Sequence, residues 1–541
     1  MRILSIRQAE SKDMSKMKRI FPVILLVMSL LVAFFVCDVH ANNLVISNVR
    51  LEDRNPSSKT VVVKFNISWE NSWKTKINHD AIWLTVRLYN PAQTPTEKKL
   101  CQVSSSGLNP NGMSVGSASS LEVFVPSDKN GVFLRPSTFG FNNTISSQNV
   151  ALTVKYDSCG FTDTAMVNAS VFGLEMVFIP EGAFYAGDYN TSNASLNRGS
   201  SDPNPWPILS ESVIAVTNLA TNGYRYVSAG NPGEDATGTA FTISASYPKG
   251  YKSFYAMKYE ITEGQWVEFF NSLPTLARPN RDLTDNLHKS TDTVSYRNTI
   301  SCSGALLSCS TNRPSRALSY ISWMDLAAFL DWAALRPMTE LEYEKIARGP
   351  VLPVLGEFAW GTNNITTATT ISNGDENGAE VIVNELANAH YGNSSLSGGD
   401  TANGNDYKKG PLRVGIFATT DSTREKAGAG YYGVMELSGN LKEQIVTIGN
   451  ASGRNFAGSH GNGQLTIVPG YEGNADNSDW PGIDGVVSRG VTSATGSGFK
   501  GGSWEDAASR LRISDRSEAA KISTQSFNNV GGRGVRTYDG N

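Results

Sequence analysis

The first third of the chain alternates as strands do. Residues 60–69 (TVVVKFNISW) and 81–89 (AIWLTVRLY) are β-branched and aromatic, and 121–125 and 150–156 add two more such runs. Asn, Pro, Gly and Ser separate them, which are the residues that turns require. No helical period appears before residue 170, so the pattern predicts a small β-sandwich with Trp69, Trp73 and Trp83 mainly in its core. From about Gly173 the texture changes. Residues 176–179 (MVFI) form a buried-strand candidate ending in the turn Pro180-Glu181-Gly182, and a long Asn-, Ser- and Gly-rich insertion follows over 188–248.

Three helices announce their own starts. Thr262 with Gln265 makes a capping box, and Trp266, Phe269, Phe270 and Leu273 then recur at i, i+3, i+4, i+7. Ser322 with Asp325 opens a second helix that buries Leu326, Phe329, Leu330 and Ala333. Thr339 with Glu342 opens a third, which stops at Gly349 after Arg348. Beyond Trp360-Gly361 only short apolar pieces remain between Gly, Asn and Asp. Such chain needs something other than hydrogen-bond ladders to hold it, and bound ions or disulfides are the usual means. The class expected is α+β, with a leader over 1–41, a β-sandwich over 42–170 and a second domain over 173–541.

Composition narrows the function. The 541 residues are 40% hydrophobic and 18% charged, with a net charge of −3 and no Lys/Arg run after the leader, which argues against a nucleic-acid partner. Lys16, Lys18 and Arg19 precede a charge-free, predominantly apolar run from Ile20 to Val36, and Val39-His40-Ala41 follows before Asn42. This is the order of a secretory signal peptide. The run also sits at the short edge of the ~17–25 residues that can span a bilayer, so an uncleaved anchor is the alternative and the one expected contact with membrane. The expected location is therefore periplasmic, cell-surface or secreted. Cys101, Cys159, Cys302 and Cys309 remain after the leader, an even number that suits two disulfides. Three connectivities are possible; Cys101–Cys159 and Cys302–Cys309 are favoured because each pair lies within one expected domain.

A series of short motifs then stands in order: 176–182 (MVFIPEG), 259–262 (YEIT), 336–344 (RPMTELEYE), 358–361 (FAWG), 435–440 (MELSGN), 500–504 (KGGSW) and 531–536 (GGRGVR). In that order they resemble the formylglycine-generating enzyme family, also called the sulfatase-modifying factor domain. The resemblance implies a variant of the C-type-lectin-like fold with much irregular chain. Active members of that family use two cysteines shortly after the Gly-Gly-Ser motif to bind copper and oxidise a substrate cysteine. Here no cysteine follows Cys309, and Asp506 and Ala508 stand roughly where the thiols would be. Carboxylate and methyl cannot replace two thiolates, since soft sulfur is what selects monovalent copper. A related branch holds non-haem iron with a His-x-x-x-His pair; His79, His288, His390 and His460 include no such pair. Neither copper nor iron is expected.

What the resemblance retains is structural calcium, which takes carboxylates and backbone carbonyls alike. The first set is Glu436 and Glu443 by their carboxylates with Gly439 and Leu441 by their carbonyls. The second is the Asn388 side chain and Ala389 carbonyl with Asp406 and the Lys408 carbonyl. In lectin-like relatives the segment after Gly-Gly-Ser-Trp is a ligand surface, which places Trp504, Glu505, Asp506 and Arg510 at a contact face. Arg512, Arg516, Arg533 and Arg536 are expected to brace the C-terminal core. The function expected is a non-catalytic binding module for a surface protein or glycan. The alternative is an oxidoreductase that acts on a protein cysteine or another substrate.

Overall fold

The computed structural model describes residues 43–372, 379–398, 408–419 and 422–540. The expected leader, 1–41, lies outside them. Residues 41–541 form one compact unit, and among the described residues no helix is long and apolar enough to cross a membrane.

Two sheets share the first core. Val45–Asn55, Thr60–Lys74, Gly140–Lys155 and Met113–Ser114 make a four-stranded sheet. In Thr60–Lys74 the period of two points Val61, Val63, Phe65, Ile67 and Trp69 inward. They meet Ile82, Leu84, Val86 and Leu88 from the Asp80–Tyr89 strand of the second sheet. That strand is buried on both faces, because Ala81 and Trp83 point the other way into the core of the remainder of the chain. This explains why 81–89 reads as a continuous apolar run. Trp73 is half-buried rather than in this core; it packs with the third apolar cluster, beside Gly433 and under the Lys258 ammonium.

The second sheet has nine strands and passes through both parts of the molecule. Its centre is Asn168–Ile179, which pairs antiparallel with Asp80–Tyr89 along ten positions and, through Met176–Ile179, with Phe254–Met257. Gly534–Thr537 and Arg336–Pro337 complete that edge. The stretch 170–173 therefore lies within one strand. Gly173 is there because the Ile46, Leu44 and Leu84 side chains close on it; a Cβ would lie 2.9 Å from Ile46 Cδ1.

All three helices form with their capping boxes closed on both sides: Glu263–Ser272 behind Thr262, Trp323–Trp332 behind Ser322 and Glu340–Arg348 behind Thr339. The first two pack through aromatic rings, with Phe269 5.7 Å from Phe329 and 5.4 Å from Trp332. The irregular chain is braced largely by buried arginines. Arg516 meets Glu340 at 2.7 Å and Glu234 at 3.7 Å, and Arg348 pairs with Glu344 and Glu357. Arg536 reaches Asp128 and lies 4.4 Å over the Trp83 ring, while Arg512 donates to the Thr191 carbonyl. Cys101 is bonded to Cys159, and Cys302 to Cys309 across the Ser301–Ser303 and Ser308–Ser310 hairpin.

One of these buried groups sets a pH dependence. Asp325 caps the Trp323–Trp332 helix and also holds Arg281 at 2.7 Å and His288 Nε2 at 2.9 Å. Burial alone would strip the proton from His288, but the Asp325 and Asp285 carboxylates outweigh it and raise the imidazole to about 9. The unfolded value is about 6.5. The stabilisation is thus complete below about pH 6.5 and lost as pH rises through about 9, by up to about 3 kcal/mol. Urea unfolding should show this decline in the native chain and a shallower one in His288→Gln. Parallel profiles would dismiss the pair.

Candidate functional site

The turn 435–443 is built from the backbone outward. Glu436 (φ 56°), Gly439 (φ 94°) and Asn440 (φ 63°) all lie in the left-handed region, which Gly and Asn tolerate and Glu does not favour. At Gly439 there is no alternative, since a Cβ would sit 2.7 Å from the His390 carbonyl oxygen. Two neighbouring segments dock on the turn: Gly439 N donates to Gly501 O and Trp504 N to Asn440 O from one, and Asn440 N to His390 O in the other. Glu260 of the 259–262 motif fastens it from beneath, accepting from Leu441 N at 2.9 Å and from Asn440 Nδ2 at 2.5 Å. Sequence reasoning quoted Glu260 inside a motif and assigned it no work.

The two carboxylates of this turn do different things. Glu443 faces Arg533: Nε lies 2.9 and 2.8 Å from its two oxygens and Nη2 2.5 Å from Oε1. The same guanidinium donates to the carbonyls of Met257, Lys258 and Met435, all buried. Glu436 accepts a hydrogen bond from Gly415 N at 2.8 Å, and its buried Oε2 has no partner among the described residues. Burial raises the Glu436 carboxyl to about 7; the Gly415 N–H, Arg533 and Arg413 work against that shift, and Glu443 adds to it. An orphaned buried carboxylate oxygen of this kind fits a cation. Glu443, by contrast, is already committed to Arg533.

The second expected calcium set is met only in part. Asn388 Oδ1 accepts from Thr366 N at 2.9 Å, the Ala389 carbonyl from Ala368 N at 2.8 Å, and the Lys408 carbonyl from Leu396 N at 2.8 Å. Asp406 lies outside the described residues. These oxygens serve a loop network first, so this set fits a cation less well than Glu436 does. Among the described residues, the one group of three close acidic, sulfur or imidazole ligand atoms is Asp282 with Cys302 and Cys309, whose sulfurs are bonded to each other.

The expected contact face needs one correction. Trp504 is fully buried, its ring 5.6 Å from that of Tyr296 and its indole Nε1 donating to Asn528 O, because the turn 439–441 and the 527–530 segment close over it. It anchors the segment and cannot touch a ligand. Glu505 is exposed and accepts from Asn529 Nδ2. Asp506 accepts from Ser503 Oγ at 2.5 Å and faces Lys442 at 3.4 Å. Lys442 in turn holds Glu518 at 2.8 Å, so this surface is a network of fixed charges. Arg510 bonds Ser517 Oγ, with Asp515 3.9 Å away.

A model of the sulfatase-modifying factor enzyme 1-like domain matches residues 166–538. The chain belongs to that family. No curated protein matches it. The matched region of this sulfatase-modifying factor relative opens two residues before the strand Asn168–Ile179, so it takes in the strand that crosses between the two parts of the sheet. Three of the motifs carry buried braces and turns. RPMTELEYE supplies Arg336–Glu342 and the Thr339 cap, GGRGVR supplies Arg533 and Arg536, and MELSGN supplies the turn itself. In this member, Asp506 and Ala508 occupy the stretch after Gly501-Gly502-Ser503-Trp504, and Lys442 reaches across to the acid.

Proposed function

We propose that this chain is an exported, non-catalytic member of the sulfatase-modifying factor family, acting outside the cytoplasm as a binding module for a protein or a glycan. The observation that carries the reading is the state of sulfur. All four cysteines after residue 41 are in disulfides, and the last of them is Cys309, so no thiol stands behind the Gly501–Trp504 motif. A thiolate copper site needs deprotonated free cysteines. The two-sheet N-terminal part is read as a β-sandwich and the matched region as lectin-like, presenting Glu505, Asp506 and Arg510. Metal analysis of the purified chain tests this reading. Stoichiometric copper or iron would overturn it, whereas saturable binding in a screen of glycans and surface proteins would support it.

Calcium at the 435–443 turn is part of the same proposal. Its support is Glu436 Oε2, without a partner among the described residues and held by a strained backbone in a turn fixed by the 501–504 segment, His390 and Glu260. Glu436 and the Gly439 and Leu441 carbonyls would hold the ion, with Glu443 shared with Arg533; Asn388, Ala389, Asp406 and Lys408 are the weaker set. When bound, calcium would neutralise Glu436 and cross-link the turn. Calcium in excess should then raise the melting temperature relative to chelator, with a gain of about 2.7 kcal/mol at a hundred times Kd. Glu436→Ala should abolish the difference. Identical melting curves in calcium and in chelator would remove the ion from the proposal.

A further inference from the structure

One cleft shares no lining residue with the 435–443 turn or the 504–510 surface. It measures about 650 Å³ and lies between the Lys99–Leu100 strand, the end of the Glu263–Ser272 helix, Trp332 and the 463–468 loop. Its walls are fixed: Lys98 N donates to Ser272 O, Gly463 N to Asp331 O and Thr466 N to Asn474 O. Leu273, Pro274, Leu465 and Ile467 make much of them apolar, and Ile467 is 83% exposed. Two polar groups in these walls have needs that the fold leaves unmet. Asp476 is the first. Buried carboxylates elsewhere meet arginine, as Glu342 meets Arg336, Glu344 meets Arg348 and Glu443 meets Arg533. Among the described residues no cation or side-chain donor pairs with the half-buried Asp476 carboxylate. The lysines of the cleft face other acids, Lys98 holding Glu268 at 2.6 Å and Lys99 lying 4.0 Å from Glu97. Asp331, fully buried, accepts from Asn462 N at 2.9 Å and from Asp476 N at 3.1 Å. Burial, and then the charge of Asp476, raise the Asp331 carboxyl to about 7. Trp332 is the second group. It follows Asp331 in the chain and is only 3% exposed, with Phe172 and Phe269 against its ring and the Arg87 guanidinium 3.7 Å over it. Its indole Nε1 is buried with no partner among the described residues. That N–H can only donate, so the site wants an acceptor.

We propose that this cleft binds the free amino end of a peptide whose first residue is apolar. The ammonium sits on Asp476, the first carbonyl oxygen accepts from Trp332 Nε1, and the side chain lies against Leu273, Leu465 and Ile467. In an α-amino acid residue these three groups leave a single carbon, so one small ligand supplies them all. The ammonium is the counterion that Asp476 and Asp331 lack, and its hydrogen bond to a half-buried carboxylate is stronger than the same contact in water. The carbonyl dipole suits the indole end, where the Arg87 guanidinium adds positive potential. Apolar walls favour an aliphatic side chain over a hydroxyl-rich sugar, whose polar groups would lose water without gaining partners. The volume falls in the range of small-ligand pockets, roughly 300–1,000 Å³.

Titration calorimetry of the purified chain with leucyl-leucinamide tests this. The peptide should bind saturably, and acetylating its amino group should weaken binding roughly tenfold or more, since the charge is then gone. Asp476→Asn should weaken the free peptide by a similar factor and leave the acetylated one unchanged. Ile467→Ser, at an exposed position, should cost several-fold through lost apolar contact without moving the melting temperature. Hexylamine, which carries the ammonium but no carbonyl, should bind more weakly than the peptide. Equal binding of the free and acetylated peptides, or no binding at millimolar concentration, would overturn the proposal. So would hexylamine or glucosamine binding as tightly as the peptide, which would assign the cleft to simple amines or to a sugar. Neither the metal content of the chain nor the state of its leader enters this measurement.

Discussion

Glu443→Ala is expected to destabilise the folded unit by about 3–5 kcal/mol, the usual cost of leaving one member of a buried ion pair without its partner. Arg533 is buried with Glu443 as the carboxylate that contacts it directly, and burial gives its charge no other outlet. Arg533→Met should cost at least as much, because it also strips the Met257, Lys258 and Met435 carbonyls of a shared donor. The double variant should lose less than the sum, as neither residue then carries an unpaired charge. Urea unfolding in chelator is the measurement, and the chelator matters. If Glu443 serves Arg533 first, the loss persists without calcium, whereas the calcium-dependent part of a Glu436→Ala effect vanishes there. A Glu443→Ala chain that unfolds with the native midpoint in chelator would show that the arginine pair is not what this residue supports.

Opening the Cys101–Cys159 disulfide should have an effect of similar size. In the chain-entropy account the cost grows with the loop closed, and a separation of 58 residues gives about 4 kcal/mol against about 2 for the seven-residue Cys302–Cys309 loop. The long bridge ties the chain at Leu100 to the end of Gly140–Lys155, so its loss loosens the two-sheet core. Paired Cys→Ser variants, unfolded in urea side by side, should rank in that order. The reverse order would mean that unfolded-state structure, and not loop length, dominates.

Local chemistry was legible in the sequence wherever a few neighbouring residues suffice to decide it. The three capping boxes are the plainest case: Thr262–Gln265, Ser322–Asp325 and Thr339–Glu342 each close within four residues, and each helix begins where its box is. The alternation of 60–69 likewise predicts which side chains point inward, because a strand offers only two faces. The sequence was less informative where a residue's surroundings are assembled from distant segments. Trp504 follows a motif associated with a contact surface, yet the 439–441 and 527–530 segments bury it. Glu443 has ligand spacing, yet a residue 90 positions away holds it. Asp406 lies outside the described residues.

The sequence by itself therefore determined the helices, the inward face of the first strands, the family and the absence of a thiol after Cys309, since these depend on short spacings or on composition. The tertiary structure alone decided that one sheet runs through both parts of the chain, that arginines from the last thirty residues brace the irregular loops, and which carboxylate of the 435–443 turn keeps an unpartnered oxygen. Those outcomes depend on which backbone carbonyls and charges remain unsatisfied once every segment has packed, and a single strand of text does not contain that inventory.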